Sequence, residues 1–336
     1  MNKPRDIFLG ALARQRGHRP ATGSATSVVT MDLMDEVGVF FPEAHLDPHK
    51  MAGLAATGHT VLGFDNVMPL FSVWHESAAM GCQVDWGAPD RMPDARYPLR
   101  VMGDEIRIPP DLLSRPGCKV PLDAIAILKK RFDDEVAVVG KVFGPWTLGY
   151  HVFAVQQFLI ATLLDPDALR KAMDVLMRVT IEFGRAQIDA GADALCLADH
   201  LTRDLCSPET YRDFLMDRHR ELNDQLPCPV ILHICGDTAD RIHYIRQTGL
   251  ACFHFDSKVP TATARELAGG GLALMGGTSN FDIIREGTPE AIAADVREKA
   301  DCRIEIIGPE CAVPLDAPYV NLKTLAEEAK KVHLKS

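Results

Sequence analysis

His233 and Cys235 lie two positions apart near the end of an apolar run, in the stretch Pro-Val-Ile-Leu-His-Ile-Cys-Gly-Asp at 229–237. The run is rich in β-branched residues and leads into a Gly-Asp-Thr turn, which is typical of a strand followed by a helix. Side chains two positions apart on a strand point to the same face, so the imidazole and the thiol project together. These two donors would supply half of a metal site.

Cys311 is the natural third ligand. It follows the last apolar run of the chain, within Gly-Pro-Glu-Cys-Ala-Val-Pro at 308–314, where glycine and proline favour a rigid turn. One imidazole and two thiolates suit Zn²⁺, and three protein ligands leave the fourth tetrahedral position for a substrate. Glu76 is a candidate for this fourth position in the resting protein.

Each of these residues also has an ordinary structural interpretation. Cysteine and histidine are common in protein cores, so a His-x-Cys pair alone does not distinguish metal ligands from packing residues. Four further cysteines lie in or beside apolar runs and are predicted to fill the core: Cys196, Cys228, Cys252 and Cys302. Nine cysteines without a framework pattern predict free thiols in a reducing cytoplasm rather than a disulfide scaffold.

The elements that must position the three donors alternate regularly along the chain. Eight runs with strand character cover residues 19–25, 60–65, 136–142, 194–199, 229–235, 252–256, 272–277 and 303–308. Alternating β and α units predict a parallel sheet, and eight units predict a closed (β/α)8 TIM barrel. The alternative is an open doubly wound sheet, which is disfavoured because no Gly-x-Gly-x-x-Gly turn follows an early strand.

Helical periodicity is predicted between and around these runs. The predicted helices cover residues 4–16, 28–37, 47–57, 75–81, 121–132, 147–162, 166–189, 207–225, 238–248, 261–268, 288–300 and 319–333. Residues 82–120 break the rhythm, since they are rich in proline, aspartate and arginine and contain short extended pieces such as 105–109. We interpret them as an inserted hairpin lid over a site. With N-terminal helical additions to the barrel, residues 1–336 are predicted to form a single domain.

Polar residues cluster at the predicted strand ends, which form the functional face of a TIM barrel. Asp199, Asp256 and Asn280 are predicted to shape a substrate pocket there. Aspartate also caps helices and asparagine also serves in turns, so both structural roles remain open. The same strand ends carry further polar residues, namely Asp65, Asn66, Lys141, His200, Thr278, Ser279 and Glu310.

The charge and apolar patterns exclude several classes of partner. A net charge of −10 without a long basic run disfavours sequence-independent binding to nucleic acid or to anionic lipid. No stretch approaches the roughly 20 apolar residues that span a bilayer, and the N-terminus lacks the apolar core of a signal peptide. We expect a cytoplasmic protein that acts on a small molecule.

The sequence resembles a known family at these positions. Leu-His-Ile-Cys-Gly at 232–236, with Cys311 placed 76 residues after Cys235, is similar to the zinc signature of cobamide-dependent methyltransferases. These belong to the uroporphyrinogen decarboxylase superfamily and include the methylcobamide:coenzyme M methyltransferases. Supporting pieces, within a similarity that runs from about residue 60 to the C-terminus, are Phe-Gly-Pro-Trp-Thr-Leu at 143–148 and the segments 191–194, 287–290 and 318–322.

The resemblance implies a zinc-bearing barrel that works with a corrinoid protein docked over its mouth, with zinc held by His233, Cys235 and Cys311. Zinc would keep a thiol substrate, such as coenzyme M, as a thiolate that attacks a cobalt-bound methyl group. Thiol-methylating members often have Gly-Cys-Gly around the third ligand, where this chain has Glu310-Cys311-Ala312.

Three alternatives accompany this prediction. Related members run the reaction in the opposite direction and take a methyl group from a methoxy or methylamine donor. A non-catalytic zinc barrel that only binds a partner is the second alternative. The decarboxylase itself is disfavoured, because its Met-Arg-Gln-Ala-Gly-Arg-Tyr segment near the first strand is replaced here by Thr-Gly-Ser-Ala-Thr-Ser-Val at 22–28, which contains no arginine.

Overall fold

The structure is a computed structural model that describes residues 3–15, 17–95 and 99–334. Short β-branched and apolar runs form its longer strands. The strands are β1 (Ala21–Thr22), β2 (Asn66–Val67), β3 (Val84–Asp85), β4 (Asp94–Ala95), β5 (Ala137–Phe143), β6 (Ala194–Ala198), β7 (Val230–His233), β8 (Cys252–Phe255), β9 (Ala273–Gly276) and β10 (Ile306–Ile307). Eight of them form one sheet in the order β1-β10-β9-β8-β7-β6-β5-β2. All of its paired strands run parallel.

Helices surround this sheet and follow most of its strands. They are α1 (Pro4–Leu12), α2 (Met31–Val37), α3 (Glu43–Leu46), α4 (Pro48–Thr60), α5 (His75–Met80), α6 (Pro116–Phe132), α7 (Pro145–Phe153), α8 (Val155–Leu164), α9 (Pro166–Asp189), α10 (Pro208–Thr210), α11 (Asp217–Gln225), α12 (Ile242–Ile245), α13 (Thr261–Ala268), α14 (Pro289–Asp301) and α15 (Tyr319–Lys331). A 3₁₀ turn covers Leu112–Ser114, and π-helical turns cover Tyr211–Met216 and Asn280–Arg285. Proline opens α4, α9 and α14, where its fixed φ suits a helix start.

The two ends of the sheet meet at a seam between β1 and β2. Asp65 donates its backbone N–H to Thr22 O at 2.7 Å, and its carboxylate accepts from Thr22 N at 2.9 Å. Asn66 donates to Ser24 O at 2.8 Å and accepts from Ser24 N at 3.1 Å. The side chain of Asn66 fills the space where a Cβ on Gly23 would stand, so only glycine fits at that position. These contacts bring the sheet close to a complete barrel, and the predicted TIM barrel is confirmed.

The predicted second strand is placed wrongly. Residues 60–65 were expected to be extended, but α4 continues to Thr60 and ends in a turn at Gly63, whose φ is 81°. Backbone bonds from Leu62 N to Thr57 O and from Phe64 N to Gly58 O close this turn. The strand is the next pair of residues, Asn66–Val67.

Other helix bounds also differ from the prediction. The helix predicted at 147–162 is two helices, α7 and α8, because Ala154 between them has a φ of 65°. The helix predicted at 238–248 shortens to α12. Among the described residues no single helix is both long and apolar enough to cross a membrane, and only the α7–α8 pair, bent by 112°, satisfies length and composition together.

The inserted segment 82–120 does contain a hairpin. β3 and β4 pair antiparallel, with Val84 opposite Ala95, while residues 96–98 lie outside the described part. The pieces at 105–109 do not form a strand, and the last five residues of the segment already belong to α6. Trp86 of the hairpin packs on the rings of His45 and His75, with ring centroids 5.8 and 5.1 Å away.

Candidate metal centre

His233, Cys235 and Cys311 meet at the carboxyl ends of the strands. His233 is the last residue of β7, Cys235 follows it, and Cys311 comes after β10 from the other side of the mouth. Nε2 of His233 lies 3.1 Å from Sγ of Cys235 and 3.4 Å from Sγ of Cys311, and the two sulfurs are 3.0 Å apart. Among the described residues no other group of three His, Cys, Asp or Glu side chains has its ligand atoms within 4.8 Å of one another.

The orientation of the His233 ring suits a metal ligand. Its Nδ1 lies 3.3 Å from the backbone carbonyl of His254, which can only accept, so Nδ1 carries the proton. The lone pair of Nε2 is thereby directed at the two sulfurs. In metal-binding histidines, the ring nitrogen that does not bind the metal commonly donates to a backbone carbonyl, and this bond fixes the tautomer.

The sulfurs of Cys235 and Cys311 lie within hydrogen-bond distance of each other. A hydrogen bond from the Cys235 S–H holds the pKa of Cys311 well below its ordinary value, against the opposing effect of burial. The same bond raises the pKa of Cys235, together with burial. Ionisation of one sulfur thus opposes ionisation of the other, and a divalent cation between them would remove this opposition.

Glu310 and Asn280 hold the loop that carries Cys311. The carboxylate of Glu310 accepts from the backbone N–H of Asn280 at 2.8 Å and of Ser257 at 2.9 Å. Burial raises its pKa. The side-chain amide of Asn280 donates to the carbonyl of Ala312 at 2.9 Å, while its Oδ1 is buried without a partner. Backbone and side-chain bonds therefore fix the residues on both sides of Cys311.

Asp256 holds the turn that follows Cys235. One carboxylate oxygen accepts from the backbone N–H of Gly236 at 2.7 Å and the other from Lys258 at 3.0 Å. Gly236 has a φ of 85°, and a Cβ there would stand 2.6 Å from Oγ1 of Thr202. The turn after Cys235 therefore needs glycine and is tied to the end of β8.

Asp199 lies at the end of β6 and is fully buried. Its carboxylate accepts from the backbone N–H of Thr147 at 2.8 Å and from Nε2 of His219 at 3.0 Å. Nδ1 of His219 bonds to the hydroxyl of Tyr211 at 2.9 Å, so the chain of contacts ends on a π-helical turn. The observed contacts of Asp199 join α7 to the helices after β6, and its predicted role in a substrate pocket stays a prediction.

Glu76 stands apart from the three-ligand group. Oε1 accepts from the backbone N–H of Phe143 at 2.8 Å, and Oε2 is buried without a partner. Burial raises the pKa of this carboxyl to about 7. To act as the predicted fourth ligand, Glu76 would need to bring Oε2 close to His233, Cys235 and Cys311. The role of Glu76 as a ligand stays a prediction.

The predictions from sequence gave no role in the site to His254, which the structure joins to it. The carbonyl of His254 accepts from His233, and its Nε2 bonds to Pro309 O at 2.8 Å. Lys141 lies in the barrel interior and is 3% exposed. The sequence placed it among the polar residues of the predicted strand ends.

The donor set fits a soft divalent cation. Tetrahedral zinc with bonds of about 2.0–2.3 Å places its ligands roughly 3.3–3.8 Å apart, so the observed spacings fit after a small outward movement of the sulfurs. Two sulfurs and one imidazole favour zinc over magnesium or calcium, which prefer oxygen.

The whole chain is similar to proteins of known family. Residues 3–332 match the family model described as uroporphyrinogen decarboxylase (URO-D). A methylated-thiol--coenzyme M methyltransferase of Methanosarcina mazei is 33% identical over 303 residues, which is 90% of this chain and 82% of the relative. The methylcobamide:CoM methyltransferase MtaA of Methanosarcina barkeri is 29% identical and 95% of each chain is covered.

A solved structure agrees with these sequence comparisons. It is described as a methyltransferase from Methanosarcina mazei, and it superposes with a TM-score of 0.94 at 28% identity, covering 98% of this chain and 99% of the other. The resemblance inferred from the zinc signature is confirmed. The chain belongs to the uroporphyrinogen decarboxylase family and groups with its methyltransferases.

Proposed function

We propose that this protein moves a methyl group between a corrinoid carried by a partner protein and a small thiol such as coenzyme M, at a zinc ion held by His233, Cys235 and Cys311. The observation that carries the proposal is the convergence of these three soft ligands at the barrel mouth of a chain similar to coenzyme M methyltransferases. Zinc bound there would keep the acceptor sulfur as a thiolate near neutral pH.

The residues of the chain would prepare this centre in three ways. His254 orients His233 through its carbonyl and holds the Cys311 loop through its imidazole. Asp256 fixes the turn after Cys235, and Glu310 with Asn280 fixes the residues beside Cys311. Two thiolates would neutralise the charge of the divalent ion, which leaves a bound thiolate more nucleophilic than it would be beside a strongly positive centre.

We further propose that residues 1–336 act as one domain in which the segment 82–120 covers the mouth. Asp199, Asp256 and Asn280 remain proposed pocket residues, and Glu76 remains the proposed fourth ligand before substrate arrives. Each of these assignments concerns contacts with a ligand, and each can be tested on its own by mutation.

The proposal is tested by incubating the protein with methylcobalamin and a panel of thiols. Methyl transfer is measured as the loss of the methylcobalamin spectrum. We expect about one zinc per chain and transfer to at least one thiol. Cys311→Ser should lose both the zinc and the methyl transfer. Cys302→Ser, which changes a half-buried thiol at the end of α14, should keep both the zinc and the transfer. Protein purified without chelator that contains no zinc would contradict the proposal.

The same assay separates the alternatives. Formation of methylcobalamin from reduced cobalamin and a methoxy or methylamine donor, without transfer to any thiol, would establish the opposite direction. Retention of zinc without methyl exchange in either direction would instead identify a barrel that binds a partner without catalysis.

A further inference from the structure

Helix α8 contains no charged residue and is apolar on more than one side. Its residues are Val-Gln-Gln-Phe-Leu-Ile-Ala-Thr-Leu-Leu at 155–164. Phe158 and Ala161 form its buried side, where the ring of Phe158 packs edge to face with Trp146, with ring centroids 5.0 Å apart. Gly149 admits this ring, because a Cβ there would lie 2.1 Å from it. A helix that is apolar all round is typical of a position that is covered on every side.

The opposite side of α8 is uncovered in the single chain. Leu163 and Leu164 are 84% and 80% exposed, and Val155 and Ile160 are also exposed. Gln156, Ile160 and Leu163 follow one another at intervals of four and three residues. This is the spacing of the seam between two paired helices, in which the side chains of one helix fit between those of the other. The exposed row is therefore suited to pack against another helix.

The loop at 99–104 extends this apolar surface. Met102 donates its backbone N–H to Oε1 of Gln157 at 3.3 Å, and Val101 beside it is exposed. The exposed aliphatic residues of the loop and of α8 form the α8 patch, which consists of Val101, Val155, Ile160, Leu163 and Leu164. Five such side chains present roughly 500 Å² of apolar surface, toward the upper end of what the largest patch of a monomeric protein shows. Two α8 patches in contact would bury about 1,000 Å², the size at which specific interfaces begin.

Charges of opposite sign flank the two ends of α8. Arg100 lies at the N-terminal end, because its backbone N–H donates to Val152 O at 2.9 Å. Asp165 and Asp167 follow the C-terminal end, and all three charged residues are exposed. Within the described part of the chain, neither Arg100 nor Asp167 forms an ion pair at 4.0 Å or less. An antiparallel copy of α8 would bring Arg100 of each chain close to Asp167 of the other.

A second copy of the chain is the partner that this arrangement fits. A twofold axis brings the same surface of two molecules together, so that surface must be complementary to itself. An uncharged row with a cation at one end and carboxylates at the other meets this condition when the two helices run antiparallel. A lipid surface is disfavoured, because helices that lie on membranes are rich in lysine and arginine, and α8 contains neither.

We propose that the chain forms a twofold dimer in which α8 packs antiparallel against α8 of a second copy. Ile160 of both copies would meet near the axis, and Leu163 of one copy would pack against Gln156 of the other. A buried area of about 1,000 Å² lies at the low end for specific complexes, so we expect a reversible dimer rather than a permanent one. The pairing does not depend on the reaction proposed above.

Sedimentation velocity of the full chain, from about 1 to 200 µM, tests the dimer over the range in which a weak interface dissociates. The wild type should convert from the monomer to a species of twice its mass as concentration rises. Leu163→Glu places like charges across the interface and should raise the dissociation constant at least about tenfold. Val320→Glu is the matched control, since Val320 is an exposed aliphatic residue of α15 outside the α8 patch, and it should associate as the wild type does. A wild type that stays monomeric at every concentration would overturn the proposal, as would unchanged association of Leu163→Glu.

A charge exchange tests the antiparallel orientation. Arg100→Asp and Asp167→Arg should each weaken association about fivefold at low salt, because the twofold axis repeats each reversed contact. The double variant Arg100→Asp/Asp167→Arg restores opposite charges at both ends and should regain the wild-type dissociation constant. A double variant no better than the single ones would refute the antiparallel pairing. Binding of a monomeric wild type to phosphatidylcholine vesicles, lost in Leu163→Glu, would identify a membrane surface instead and refute the dimer.

Discussion

The backbone carbonyl of His254 lies 3.3 Å from Nδ1 of His233, and the imidazole of the same His254 bonds to Pro309 O at 2.8 Å. Pro309 stands two residues before Cys311. One residue of β8 therefore orients a candidate ligand on its neighbouring strand and holds the loop of another across the mouth. Gly276 makes room for this imidazole, because a Cβ at that position would meet the ring.

The variant His254→Leu should weaken zinc binding without unfolding the protein. It removes the bond to Pro309 O and frees the Cys311 loop, and loss of such a supporting contact typically costs about tenfold to a hundredfold in metal affinity. The measurement is a competition for zinc against a chromophoric chelator. The control is Met275→Leu, since Met275 is buried in register with His254 on β9. Equal affinities for the two variants would show that the imidazole is not a support.

Asn280→Ala tests whether this residue positions the metal loop or contacts the substrate. The variant loses the bond to Ala312 O but keeps the backbone N–H that binds Glu310. We expect about tenfold weaker zinc binding by analogy with other supporting contacts, with KM for the thiol unchanged once zinc is saturating. A raised KM at unchanged zinc affinity would instead support the predicted pocket role. Phe281→Ala, in the same π-helical turn but exposed, serves as the control.

His45→Phe should make the protein more resistant to acid. Burial lowers the pKa of His45 to about 3, from its ordinary value of about 6.5. A group whose pKa is lowered on folding contributes stability that is present above the unfolded pKa and is lost as pH falls below it. At pH 5 this loss is about 2 kcal/mol for one such histidine. Phenylalanine retains the stacking on Phe41 without a proton to bind.

The measurement for His45→Phe is the free energy of unfolding by urea at pH 8 and pH 5. The difference between variant and wild type should shift by about 2 kcal/mol in favour of the variant at the lower pH. His75 and His151 have pKa values lowered by burial in the same way, but they are present in both proteins, so the comparison isolates His45. A pH-independent difference would show that His45 is protonated in the folded state or is accessible to water.

Much of the fold follows from the sequence because strands buried on both faces are continuous apolar runs. β5 and β6 are buried along their whole length, and both were predicted within one residue of their bounds. β2 was misplaced because Thr60-Val61-Leu62 has strand-forming residues while backbone bonds continue α4 into a closed turn. A strand of two residues, held at the seam by the side chains of Asp65 and Asn66, leaves almost no periodic signal.

The three-ligand group was predictable because each ligand lies in a short segment at a strand end whose residues can be interpreted without knowledge of contacts between strands. A period of two places His233 and Cys235 together, and a rigid turn presents Cys311. The supporting residues were less accessible, since their roles depend on contacts between strands. The meeting of His254 with Pro309 depends on the loop after β10, and the burial of Lys141 depends on the strands that surround it. Neither relationship is encoded in the spacing of residues along one strand.

Two variants of Asp199 distinguish a structural carboxylate from a substrate contact. Asp199→Ala leaves the N–H of Thr147 and Nε2 of His219 unpaired in a fully buried site, which should cost about 3 kcal/mol or more in the free energy of unfolding. Asp199→Asn keeps an oxygen for Thr147 and offers an amide N–H to His219, whose bond to Tyr211 can reverse its direction. The asparagine variant should therefore stay within about 1 kcal/mol of wild type, with an unchanged KM. If Asp199→Asn instead raised KM tenfold at unchanged stability, the carboxylate would be a substrate contact, as the strand-end position predicted.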